Sequence, residues 1–161
     1  IEQAKLAMAL LLLSPGVPML AAGQDYMHSK TGVRNTYQRG DLNALDYNQI
    51  IPSKDFHEWI KSLISFRNSE DGLHIRLPSY LPESHYFCTI GPSNSFAHIV
   101  FSKADDTDSP FLLLLVNPSN QEITLPTPAF CESRNSKLLL GKIHTKLGQI
   151  SPISLQVWKF F

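Results

Sequence analysis

The apolar positions fall into three textures along the chain. In the first, Lys5 is followed by the unbroken run LAMALLLL. These residue types are strong helix formers, and a helix that is apolar all round is buried on most of its faces. The pattern predicts a helix over 2–13, stopped by Pro15 and Gly16. A second apolar run, 17–22, is entered through Gly16 and Pro18 and left through Gly23. It reads as a buried strand, the β half of an αβ step. No partner strands for that step follow nearby, so its parallel neighbours are expected to be missing.

The second texture is polar. Residues 24–50 have neither helical nor strand period, and they carry Tyr26, Tyr37 and Tyr47 among Asn35, Asp41, Asn43 and Asp46. Loops this long are usually functional or disordered, and the tyrosines argue against disorder. An amphipathic helix closes this part. Phe56, Trp59, Ile60, Leu63, Ile64 and Arg67 recur at helical spacing over 54–67. Ser53 is its candidate N-cap, and Asp55 and Glu58 favour the positive end of the helix dipole.

The third texture begins at His74. Short β-forming runs alternate with Pro, Gly, Asn, Ser and Asp, and strands are expected near 74–77, 85–90, 96–102, 111–116, 122–125, 137–140 and 153–160. The run FLLLLV is apolar on both faces and suits a central strand. Residues 155–160 alternate without a polar face, so both of their faces are expected to be partly covered. The spacing of strands and turns suggests an antiparallel sandwich. The fold class is therefore α+β, with a boundary in the turn-rich segment 68–73 that divides 1–70 from 71–161.

Charge narrows the function. Fourteen basic and fourteen acidic residues cancel, which leaves no basic footprint for nucleic acid or an anionic membrane. The apolar start imitates a secretory leader, with Lys5 before it and Leu20-Ala21-Ala22 after it. Glu2, Pro15, Gly16 and Pro18 fit the helix and strand better. The run is also shorter than the ~20 residues a bilayer span needs. A cytoplasmic or plastid location is expected. Cys88 and Cys131 match no zinc spacing and are read as two buried thiols, with a single bridge as the alternative. Asp105, Asp106 and Asp108 lack the glycine turn and distal Glu of a calcium loop, and read as a solvated hairpin end. His28 beside Ser29 has no third orienting group for nucleophilic catalysis. The other histidines show no metal spacing. Trp59 and Trp158 read as packing residues, and no phosphate-binding glycine loop is present. No metal or organic cofactor is expected.

Residues 16–47 carry a family resemblance. Gly16, Pro18, Gly23 and Asp25 match a G-x-P-x-x-x-x-G-x-E/D run. Lys30, Gly32, Asn35, Thr36, Tyr37, Asp41, Asn43, Asp46 and Tyr47 match K-x-G-x-x-N-S/T-Y followed by D-x-x-N-x-x-D-W/Y, with one residue fewer between Asp41 and Asn43. The stretch resembles the eighth barrel strand and the loop after it in α-amylase-type glycoside hydrolases (family 13), most closely the pullulanase and isoamylase debranching enzymes. The departures are Asp25 where Glu is commoner, Arg34 where Asn or Asp is commoner, and the shortened spacing. The resemblance implies that 1–70 is the helix–strand–loop–helix end of a (β/α)8 barrel and 71–161 a C-terminal β-sandwich. It implies a parent enzyme that hydrolyses α-1,6 branches of α-glucans by the retaining route. The parent's nucleophile, acid/base and stabilising carboxylates would lie upstream of Ile1, so this chain would hold no catalytic residue and be inactive alone. The implied partners are an α-glucan and the upstream barrel, without nucleic acid or membrane. In such a loop, tyrosine rings offer apolar faces to sugar C–H surfaces, and Asn and Asp pair with sugar hydroxyls. Asn35 and Tyr37 lead as substrate-binding candidates, followed by Arg34, Asp41 and Asn43; the alternative is that they brace the loop. A stand-alone sandwich that binds glycan or protein is the second reading of the whole chain. The two differ in behaviour: a barrel piece should aggregate, dimerise or need a partner fragment, whereas a stand-alone module should be monomeric.

Overall fold

The computed structural model describes residues 1–76, 85–89, 94–101, 108–127, 129–141 and 146–161, with the backbone alone at 74, 85–89 and 101. Helix α1 spans Glu2–Leu13, as its composition predicts. A one-turn helix α2 (Gly40–Asn43) interrupts the polar stretch, and α3 spans Lys54–Asn68. The short α4 (Leu73–Arg76) occupies most of the stretch expected as the first strand. That expectation fails because the Gly72 carbonyl accepts from the amides of Ile75 and Arg76, closing a helical turn. Ile75 is then fully buried.

Among the described residues seven strands follow: β1 (His85–Thr89), β2 (Phe96–Phe101), β3 (Phe111–Asn117), β4 (Ile123–Thr124), β5 (Ser136–Leu140), β6 (Gln149–Ile150) and β7 (Ser154–Phe160). Five form an antiparallel sheet in the order β1-β2-β3-β7-β5, and β4 pairs with β6 in a two-stranded ribbon. β3, the FLLLLV run, is central and buried along its whole length. Residue 90 and residues 102–107, which hold Asp105 and Asp106, lie outside the described residues.

Register explains why 155–160 show no polar face. Leu112, Leu114 and Val116 of β3 lie opposite Val100, His98 and Phe96 on one side and Lys159, Val157 and Leu155 on the other. This face packs on α1 and α3, in one core with Leu6, Met8, Ala9, Leu12, Leu13, Phe56, Ile60 and Leu63. The alternate residues, Leu113 and Leu115 with Ile99, Ala97, Trp158 and Phe160, form a second core with Ile150 of the ribbon and Leu125 just beyond it. The sheet is thus covered on both faces, by helices on one and by the ribbon on the other.

Three local expectations are corrected. The run 17–22 is not a strand: it pairs with nothing among the described residues, and Val17 and Met19 are 89% and 85% exposed. A lone strand has no ladder to satisfy its backbone groups. Ile64 of α3 is 41% exposed, so the buried stripe is narrower than the periodicity suggested. Ser53 does occupy the N-cap of α3, but its hydroxyl makes no cap bond; it faces the carbonyls of Tyr26 (2.9 Å) and Gln49. Cys131 is buried and free, with its thiol pushed up to about 11 mainly by burial. No helix among the described residues is long and apolar enough to cross a membrane.

Candidate functional site

The polar stretch is held at its two ends. Gly23, at φ +85°, starts a 3-10 turn over Gln24–Tyr26. A Cβ at Gly23 would lie 2.7 Å from His28 Cβ and 3.1 Å from the Tyr26 hydroxyl, so only glycine fits. Tyr26 is 2% exposed. Its ring packs on Tyr47, with centroids 5.9 Å apart and a 49° tilt, and edge-on against His28 at 6.3 Å. The Ser53 hydroxyl at the carbonyl of Tyr26 ties this turn to the start of α3. Beside it, Asp25 Oδ2 lies 3.1 Å from His57 Nδ1 of α3, without the alignment of a hydrogen bond.

The middle of the stretch is braced from within. Asn35 Oδ1 accepts from the Tyr37 amide (3.0 Å), which forms an Asx turn. Asn43 Nδ2 donates to the carbonyl of Thr36 (2.8 Å), and Lys30 Nζ donates to the Thr36 hydroxyl (3.1 Å). Thr36 is buried while its neighbours on both sides are exposed. Arg39 grips Asp41 with two bonds, Nε to Oδ1 at 2.8 Å and Nη2 to Oδ2 at 2.6 Å. That guanidinium holds the Asp41 carboxyl below the usual carboxylate range. At the far end Asp46 caps a 3-10 turn over Tyr47–Ile50, accepting from the Asn48 amide and from the side chains of Asn48 and Gln49. The Gln49 bond first, and the Asn48 amide next, lower its pKa.

The five candidate residues therefore divide. Asp41 spends both carboxylate oxygens on Arg39, and Asn43 spends its amide group on the Thr36 carbonyl. Asn35 spends its oxygen, and its amide group has no partner among the described residues. Tyr37 is 81% exposed, and Arg34 is exposed with no side-chain partner among the described residues. Periodicity and spacing gave no signal for the Tyr26–Tyr47 contact, which joins residues far apart in a loop. Arg67 did have a signal, a charge on an apolar helical stripe. It is 6% exposed, and its guanidinium donates to the carbonyls of Leu12, Ser14 (2.8 Å) and Gly16. It thus fixes the end of α1 and the entry to the unpaired run. Trp59 and Trp158 pack as expected: Trp59 Nε1 donates to the Lys5 carbonyl (3.2 Å) and Trp158 Nε1 to Gln156 Oε1 (2.8 Å). No group of three or more His, Cys, Asp or Glu side chains is placed to hold a metal ion among the described residues.

Comparison with known proteins places this architecture. No protein-family model matches the chain. It is 28% identical over 125 residues to the pullulanase of Bacillus subtilis (strain 168), which covers 76% of this chain and 17% of that protein. It is 34% identical over 73 residues to an isoamylase of a Flavobacterium species, covering 45% of this chain and 9% of that protein. The fold matches the pullulanase of Bacillus acidopullulyticus with a TM-score of 0.78 at 25% identity, over 98% of this chain and 20% of that one. It also matches the pullulanase of Paenibacillus barengoltzii in complex with maltohexaose and α-cyclodextrin, with a TM-score of 0.81 at 26% identity, over 98% of this chain and 25% of that one. In class, the chain is similar to debranching glycoside hydrolases of the α-amylase family. Within that class the likeness runs to the pullulanases and isoamylases, and it is to a C-terminal part of them. The chain spans a quarter or less of the length of each of these relatives.

Proposed function

We propose that the chain is the substrate-side and stabilising part of an α-glucan debranching hydrolase. In this reading α1, the run 17–22, the polar loop and α3 close the end of a catalytic (β/α)8 barrel, residues 71–161 form the β-sandwich behind it, and the catalytic carboxylates come from elsewhere in the parent. The loop meets an α-glucan near its branch through Asn35, Tyr37 and Arg34. Asp41 and Asn43, engaged within the loop, shape that surface. The reaction of the parent is hydrolysis of α-1,6 linkages in glycogen-, starch- or pullulan-type glucans, and a cytoplasmic or plastid location fits it. One observation carries the reading: an apolar run between two glycines exposes Val17 and Met19 and finds no strand to pair with among the described residues. A neighbouring parallel strand of the parent would supply that pairing and cover those side chains. The likeness to pullulanases supports it.

Maltohexaose and its β-linked counterpart, cellohexaose, test the substrate side. Titrated into the chain, maltohexaose is expected to shift backbone amide resonances of residues 24–50, and cellohexaose to leave them in place. Equal response to both, or to neither, rejects the glucan assignment.

A specific observation favours the second reading, a stand-alone binding module. The core that holds α1 and α3 also holds β2, β3 and β7, so the helices and the sheet support one another within this chain. Sedimentation separates the two readings. The barrel-end reading expects concentration-dependent self-association through the exposed run, reduced in a Val17→Ser/Met19→Ser variant; a monomer at all concentrations favours the module.

A further inference from the structure

We infer that Tyr47, backed by Tyr26, is the principal stacking platform for a glucose ring on this loop. This rests on the glucan reading above and adds a residue to it. Tyr47 is 65% exposed, yet its ring is not free: it lies against Tyr26, whose own ring is almost wholly buried. Tyr26 is in turn held through its carbonyl by Ser53 at the head of α3. The backbone of Tyr47 opens a 3-10 turn that Asp46 caps, with the Gln49 amide donating to the Asp46 carbonyl and the Ile51 amide to the Asn48 carbonyl. Ring and backbone are both positioned before any ligand arrives. A pre-anchored aromatic face loses little conformational freedom on binding, which is where flexible sites lose affinity.

Tyr37 differs on each count. It is more exposed, its ring makes no aromatic contact among the described residues, and only its backbone amide is held, by Asn35. Its ring must be ordered by the ligand. The rim of Tyr47 also suits a sugar. Asp46 uses its carboxylate oxygens to hold the amide groups of Asn48 and Gln49. The side-chain carbonyl oxygens of both residues have no partner among the described residues and can accept from hydroxyls around a ring stacked on the tyrosine face.

Maltohexaose affinity, measured by titration of the full chain with resonance shifts as the readout, tests the assignment. Tyr47→Ala is expected to weaken binding about tenfold, the size of one good ring contact. Tyr47→Phe and Tyr26→Phe keep the two packed rings and are expected to stay within about twofold, and Tyr37→Ala to lose less than Tyr47→Ala. Tyr47→Leu, which still covers Tyr26 but lacks a flat face, should behave like Tyr47→Ala and guards against a folding defect in the latter. Binding that survives both Tyr47→Ala and Tyr47→Leu overturns the platform and leaves the glucan reading standing. If the unaltered chain binds no maltohexaose, the glucan reading itself falls, and the platform with it.

Discussion

Arg67 carries a charge into the interface between two helices, where burial lowers its pKa, chiefly by desolvation. What offsets that burial is a set of carbonyls at the end of α1 that no helical amide can reach. Arg67→Ala would strand those carbonyls and is expected to lower the unfolding free energy by about 2–3 kcal/mol in urea titrations. Arg67→Lys should recover only part of the loss, because an ammonium lacks the planar fork that spans three acceptors. Tyr26 is the opposite case, a buried phenol whose hydroxyl finds no partner among the described residues. Burial, then the neighbouring Tyr47, Asp25 and Asp46, pushes its pKa upward. The fold therefore favours the neutral phenol. Its contribution is intact below the ordinary value of 10.0 and is lost as pH climbs beyond it. Tyr26→Phe is expected to raise the urea midpoint at neutral pH, since an orphan hydroxyl is removed. It should also flatten the alkaline fall in that midpoint seen with the unaltered chain.

At the scale of elements, the strong periodic segments were legible, and of the two-residue strands β4 was expected within 122–125 while β6 was not. The composition of α1 and the stripe of α3 predicted both helices to within a residue of their observed ends. FLLLLV announced a central strand because a strand covered on both faces needs apolar residues at every position. β6 escaped notice because two residues carry no period. Its signal was the preceding Gly148, at φ +83°, whose carbonyl accepts from the Leu125 amide at 2.7 Å. An added Cβ there would approach the Leu125 carbonyl oxygen to 2.5 Å in a backbone region that L side chains rarely adopt. Gly148→Ala is expected to cost about 1–3 kcal/mol. Amide exchange should quicken first at Ile123, Thr124 and Ile150, the residues of the ribbon. α4 was misread as a strand because His74, Ile75 and Arg76 fit either pattern, and the Gly72 turn decided between them.

For the whole molecule, the question is whether a boundary at 68–73 separates two units. Helices from the first part and strands from the second share a core around Leu12, Ile60, Leu63, Leu114 and Val157. A shared core predicts shared unfolding. Thermal melts of a Trp59→Phe variant, followed by helical circular dichroism and by the fluorescence of Trp158, on β7, are expected to coincide. A helical transition well below the Trp158 transition would show that α1 and α3 detach as a unit of their own.

The sequence by itself determined the α+β class, the two long helices and the central strand, because those follow from the spacing of apolar residues over many positions. It also carried the likeness to debranching hydrolases, through residues 16–47. Only the tertiary structure decided which loop residues are spent on one another and which face outward. Asp41, Asn43, Tyr37 and Tyr47 look alike as polar or aromatic loop residues. Their difference lies in partners reached by turns, by an Asx bend and by a packed ring. Such contacts depend on where the backbone reverses, and a local pattern without period does not encode that.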